Sequence, residues 1–173
     1  MPTYVALLRG INVGGRRKIA MNDLRAPFEA LGHTGVRTYI QSGNVVFAAK
    51  AGSAANVRSA IEQRLEHDFG FAVTTLLRTN KELATTLGRN PFGADAYVTF
   101  LEHAPDSARV KAIDTTRFAP DEFAVHGREV FVRCPNGYGR TKINNAFFER
   151  ALAAEATTRN YKTVTTMYEW SAS

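Results

Sequence analysis

Residues 36–47 read VRTYIQSGNVVF. Two β-rich runs, Val36 to Gln41 and Asn44 to Ala48, flank Ser42-Gly43, the pattern of a hairpin closed by a tight turn. The position of this hairpin in the order of elements decides the fold. Before it, Thr3 to Leu8 is a short β-rich apolar run. MNDLRAPFEALG then reads as a helix, with Leu24, Phe28 and Leu31 at i, i+4 and i+7 and Gly32 as a C-terminal stop. Pro27 inside that span predicts a late start or a bend. After the hairpin, Ser53 caps a longer helical pattern, with Val57, Ile61, Leu65 and Phe69 at i+4 spacing. Ala72 to Arg78 returns to strand. The order β-α-β-β-α-β is the ferredoxin-like split βαβ plan.

Thr79 and Glu82 fit a capping box and predict a short helix to Leu87. GRNPFGAD follows, and its Gly, Asn-Pro and Gly punctuation marks a linker. The expected division is therefore a ferredoxin-like unit with its short helix at 1–88, a linker at 89–95, and a second α+β unit with a C-terminal helix at 96–173. In the second unit, Tyr97 to Glu102 reads as a strand, and Pro105 starts a helix to about Ile113. Glu122 to Val125 and Glu129 to Arg133 form a hairpin around His126-Gly127. Thr141 caps a helix to about Ala153, with Ile143, Phe147, Phe148 and Leu152 on its buried stripe. A closing strand is not clear here, and Thr157-Thr158 mark at most a remnant. This half is either an incomplete ferredoxin-like unit or an extension of the first, and no residue-level repeat links the two. The fold class is α+β: a ferredoxin-like split βαβ unit followed by a partly similar βαββα unit.

With 173 residues the chain can bury a real core, and 45% hydrophobic with 22% charged residues argues against extensive disorder. The net charge of +6 is uneven: +5 over residues 1–95 and +1 over 96–173. Such an excess favours an anionic partner without specifying nucleic acid. Cys134 is the only cysteine, so an intrachain disulfide is excluded. The opening MPTYVALLRG is too short for a membrane span and lacks a cationic lead, so a cytoplasmic protein without membrane partners is expected.

Residues 7–18, LLRGINVGGRRK, carry the main functional signal. Gly10 and Gly15 have the G-x-x-x-x-G spacing of a P-loop, but Arg16-Arg17 stand where Lys and Ser or Thr are needed, so the magnesium ligand is missing. A simpler anion nest remains. Gly10, Gly14 and Gly15 permit positive φ, Arg9 offers a bidentate grip, and Lys18 a point charge. In a split βαβ sheet the first strand ends on the edge where the second turns into the third. Asn12 should therefore lie near Gln41, Ser42 and Asn44, which add neutral donors and acceptors. The alternative is structural, a glycine-rich connection and an ordinary Ser-Gly turn.

CPNGYGRTKINNAFFER sets Tyr138 beside Arg140 and Lys142, an aromatic with basic neighbours able to stack a base and hold phosphate, or simply a charged loop tip. Arg159, Asn160, Tyr161 and Lys162 make a similar cluster. The four histidines have no metal-ligand spacing, so no metal site is expected. Cys134, ahead of Pro135, reads as packing.

YVALLRGINVGG, RTYIQSGNVVF, YVTFL, YGRTKINNAFFER and ATTRNYKTV together resemble, in order and over nearly the whole chain, the bacterial family known as domain of unknown function sixteen-ninety-seven. The resemblance implies a two-part α+β protein of ferredoxin-like character and supplies no catalytic residues and no cofactor. The functional expectation is binding of a phosphorylated or anionic ligand, either a small molecule such as a nucleotide or a nucleic acid, at the first glycine loop and the Ser-Gly turn. The alternatives are an enzyme acting on a small phosphorylated substrate at the same cleft, or an assembly module using its sheet edges.

Overall fold

The structure, a computed structural model, describes residues 1–50 and 52–172. The chain divides into two compact units, Met1–Ala84 with Met167–Ser173, and Thr85–Thr166. Both divisions fall inside helices.

The first unit contains β1 (Thr3–Leu8), α1 (Met21–Ala30), β2 (Thr34–Tyr39), β3 (Asn44–Ala48), α2 (Ala54–Phe69), β4 (Thr75–Thr79) and the start of α3 (Asn80–Arg89). Its strands form one antiparallel sheet in the order β2-β3-β1-β4, the ferredoxin-like arrangement. Tyr4, Ala6 and Leu8 alternate along β1 into a core with Phe47, Leu24 and Phe28 of α1, and Ile61 and Leu65 of α2. Val5 and Leu7 between them are buried as well, so β1 reads as one continuous apolar run. Ser53 caps α2 by accepting from the Asn56 amide at 3.2 Å. Thr79 and Glu82 exchange two bonds at the head of α3, of 3.0 and 3.1 Å, the reciprocal pair that the spacing predicts.

Several boundaries differ from expectation, three of them for a local reason. β2 begins at Thr34, because a bulge between Thr34 and Arg37, with Gly35 at φ +62°, interrupts the alternation before Val36. It ends at Tyr39, because Ile40 turns at φ +47°. β4 begins at Thr75, where its partner Leu8 ends β1. Pro27 is accommodated within α1, which starts at Met21 and runs through it.

The second unit holds β5 (Ala96–Leu101), α4 (Ser107–Lys111), β6 (Glu122–His126), β7 (Glu129–Arg133), α5 (Asn145–Leu152), β8 (Ala156–Asn160) and the start of α6 (Tyr161–Ser171). Its sheet order, β6-β7-β5-β8, repeats that of the first. The half is therefore a complete ferredoxin-like unit, and Thr157-Thr158 belong to a full strand paired with β5 from Tyr97↔Asn160 to Leu101↔Ala156. The two units also repeat each other in register. Val5 faces Arg78 and Val98 faces Arg159. The Leu8 amide donates to Gly43 O at 2.9 Å, and that of Leu101 to Arg128 O at 2.8 Å. Two caps also differ from expectation. Asp106 rather than Pro105 opens α4, accepting from the Ala108 amide at 3.0 Å. Asn144 rather than Thr141 opens α5, accepting from Phe147 at 2.9 Å. No helix among the described residues is long and apolar enough to cross a membrane.

His33 gives the first unit a pH dependence. It is 7% exposed and lies 4.8 Å from the Phe47 ring. Its Nδ1 accepts from the Lys50 amide at 3.2 Å, and its Nε2 is a buried atom without a hydrogen-bond partner among the described residues. Burial pushes the imidazole below its ordinary pKa of 6.5. The unfolded chain thus binds the proton more readily, and stability is complete above pH 6.5 and lost as pH falls below it. Urea titrations between pH 7.5 and 5 should show stability falling as pH drops below 6.5. His33→Leu should flatten that dependence; an unchanged slope would place its origin elsewhere.

Candidate functional site

At one edge of the first sheet, β1 ends beside the β2–β3 turn. Gly43 is buried there, with Leu8 and Ile11 against its α-carbon. The Arg9 amide donates to Thr74 O at 2.9 Å, which ties the half-buried Arg9 to the approach to β4. Asn12 fastens the two loops together. Its side-chain amide donates to Gln41 O at 2.8 Å and Ile19 O at 3.0 Å, and its Oδ1 accepts from the Ile19 amide at 2.8 Å. Asn12 thus fastens loop and turn in the expected proximity, itself at φ +57°, a conformation that asparagine tolerates.

Beyond Asn12 the loop folds on itself. The Asn12 amide donates to Arg17 O at 3.1 Å, and Val13 and Arg16 form an isolated bridge. Gly14 at φ +60° and Gly15 at φ +73° are the two central residues of this turn, so the glycines form an exposed tip. Gly10 is also exposed, at φ +70°. Arg17 turns back, donating to Ala72 O at 3.1 Å with its guanidinium 5.9 Å from the Phe71 ring. Arg16, Lys18 and Gln41 face solvent. Asn44 is wholly buried and braces the turn through Tyr39 O at 2.8 Å and Ser42 Oγ at 3.0 Å. The helix that follows, α1, has no side-chain cap at Ala20 and carries Asp23 in its first turn, so its own carboxylate answers that end of the dipole.

The candidates of the second unit fall in separate places. Tyr138 is stacked on Tyr97 with ring centroids 4.7 Å apart, and its hydroxyl accepts from the Asn145 amide at 2.9 Å. Its ring is thus already occupied as a brace, and burial pushes its phenol up. Arg140 and Lys142 are exposed on either side of buried Thr141. Arg159 lies inside, donating to Thr157 Oγ1 and Thr158 O, and burial lowers its guanidinium to about 10. Asn160 caps α6 through the Thr163 amide at 2.9 Å and borders a cavity of about 540 Å³ shared with Arg133 and Lys162. Cys134 also borders it; burial first, then the Asp121 charge, raises its thiol against the opposing effect of its hydrogen bond with Thr141, so the neutral form prevails at neutral pH. Among the described residues no three His, Cys, Asp or Glu side chains group as a metal site. Arg16, exposed beside Lys18 and signalled by the basic run, is an addition to the expected set.

The fold and this edge define a class: an α+β protein of two ferredoxin-like units, the first presenting a braced basic loop. The chain belongs to the family described as Protein of unknown function (DUF1697), whose model matches residues 1–131. It is similar in fold to the structure of conserved bacterial protein SP0830 from Streptococcus pneumoniae, with a TM-score of 0.80 and 23% identity, over 100% of this chain and 99% of that one. A search of curated proteins found no match.

Proposed function

We propose that the protein binds a phosphorylated, anionic partner at the loop and turn on this edge of the first unit, and that the partner is a nucleic-acid backbone. The observation that carries the reading is the Asn12 clamp, which holds an exposed basic tip in a fixed place. A braced loop gives up little conformational entropy on binding, so each charge contact keeps more of its value. Arg16 and Lys18 supply the exposed charges, and Arg9 stands at the inner end of the same loop. Residues 9–22 and 40–44 contain no carboxylate, imidazole or thiol. These segments therefore offer charge and hydrogen bonds with no acid or base of their own, the next carboxylate along the chain being Asp23 in the first turn of α1, which favours binding over proton-transfer chemistry. A projecting tip suits an extended polyanion that runs past it.

Fluorescence anisotropy of a labelled 20-mer single-stranded RNA against salt tests the reading. Affinity should fall linearly on a log–log plot. The exposed pair Arg16→Ala/Lys18→Ala should weaken binding about tenfold and reduce the slope by roughly 1.4, about 0.7 for each phosphate left unneutralised. Binding that ignores salt, or a double variant indistinguishable from wild type, would remove the proposal.

A further inference from the structure

The strip Arg140-Thr141-Lys142 of the second unit has a feature that the first unit's edge does not explain. Thr141 is extended at φ −71°, ψ 146° and buried, its hydroxyl donating to Asp121 Oδ2 at 2.7 Å and accepting from the Ile143 amide at 3.2 Å. In extended chain, residues on either side of an inward one point outward together. Arg140 and Lys142 accordingly both line a cavity of about 290 Å³, joined there by Arg117 from a distant part of the chain. The backbone that presents Arg140 is itself held, since Tyr138 is pinned by its stack and its hydroxyl. The one carboxylate in that lining, Asp121, already receives the Thr141 hydroxyl. Three cations against one carboxylate leave an excess of two positive charges, which a dianionic phosphate monoester matches.

A second cavity, of about 340 Å³, shares Arg117 and Phe118 with the first. Its walls are mainly apolar, from Ile113, Phe118, Phe147 and Ala151. Phe118 and Phe147 meet edge to face at 5.1 Å, which sets an aromatic surface beside the cationic one. Asp114 at this cavity is engaged by the Thr116 hydroxyl at 2.7 Å and the Thr116 amide at 3.0 Å and also feels the Arg117 charge, while Arg109 in the same lining adds a fourth cation, so the two hollows together keep the excess of two positive charges. Cationic and apolar hollows flanking the same two side chains form a two-part receptor, one part for a charged head and one for an apolar body. We propose that this paired cavity binds a phosphate monoester bearing an apolar, ring-sized group, with the phosphate held by Arg117, Arg140 and Lys142 and the ring on Phe118 and Phe147. This proposal does not rest on the nucleic-acid reading of the first unit.

The probe is 1-naphthyl phosphate, titrated by its own fluorescence and by calorimetry. One saturable site is expected, with 1-naphthol and inorganic phosphate each at least tenfold weaker. Arg140→Ala/Lys142→Ala, both exposed and checked for folding by circular dichroism, should weaken the ester at least tenfold. Phe118→Ala should weaken the ester while leaving inorganic phosphate unchanged, and Phe147→Leu serves where that variant fails to fold. Arg16→Ala/Lys18→Ala should bind the ester as wild type does. Equal affinity for 1-naphthol and its phosphate would show only an apolar patch and overturn the proposal, as would an unaffected Arg140/Lys142 variant. Flotation with phosphatidate vesicles separates a soluble ester from a lipid headgroup; capture by vesicles without binding of the soluble ester also overturns it.

Discussion

Gly43→Ala should lower the free energy of unfolding by about 3 kcal/mol and loosen the basic loop with it. Two costs combine at this one position. Gly43 adopts φ +87°, so any β-carbon there carries the left-handed penalty, about 1–2 kcal/mol. The new carbon would also stand 2.7 Å from Ile11 Cδ1 and 2.9 Å from Leu8 Cβ, both in the packed core. Neither is the far end of a flexible exposed chain, so the backbone must shift, at about 1–3 kcal/mol. The shift would fall on the turn whose Gln41 carbonyl receives Asn12. Gly70→Ala is the control. It has a similar φ of +79° with nothing within 4 Å of the added carbon, so only the conformational cost applies there. Chemical denaturation of the two variants should separate them by about 2 kcal/mol; equal losses would mean that the contact with Leu8 and Ile11 relaxes at no cost.

The difference between these glycines shows what the sequence could and could not reveal. Spacing located Gly10, Gly14 and Gly15, and all three take the positive φ expected of them. It did not reveal that Val13 and Arg16 bridge across Gly14 and Gly15, which turns them outward as a tip. The first unit was legible because its buried positions are apolar and periodic, as in Leu24 and Phe28 or Val57, Ile61 and Leu65. β8 was not, because Thr157 and Arg159, each 5% exposed, bury polar side chains on one face. Hydrogen bonds make that burial tolerable: Arg159 to Thr157 on that face, Thr99 with Thr158 at 2.8 Å, and Thr158 to Asn145 at 2.9 Å. Composition carries no trace of such pairing. Thr141 and Asn144 illustrate the same limit, since each accepts from an amide downstream while only Asn144 opens a helix. Arg117 lies in a stretch with no motif, and only the fold brings it to Arg140 and Lys142.

Trp170→Ala should cost about 3 kcal/mol, an effect centred on β2. β2 is the edge strand of the first sheet, with solvent-facing Arg37 and half-buried Tyr39 on it. The end of α6 returns to this unit and places Trp170 on both residues. The Arg37 guanidinium lies 3.8 Å from the indole centroid, and Tyr39 meets the ring edge to face at 5.3 Å. Asn80 at the start of α3 holds the same helix end, donating to Tyr168 O at 2.9 Å and Ser171 Oγ at 3.1 Å. The last turn of α6 thus packs on two side chains of the edge strand. Removal of the aromatic packing accounts for most of the cost, and the cation–π interaction for about 1 kcal/mol of it. Trp170→Phe keeps an apolar ring and should cost about 1 kcal/mol, close to the effect expected for Arg37→Ala. Hydrogen exchange should accelerate first in the β2 amides of Trp170→Ala, before those of β1. A destabilisation below about 1 kcal/mol for Trp170→Ala, or uniform acceleration across both strands, would mean that β2 is held by its pairing with β3 rather than by the returning helix.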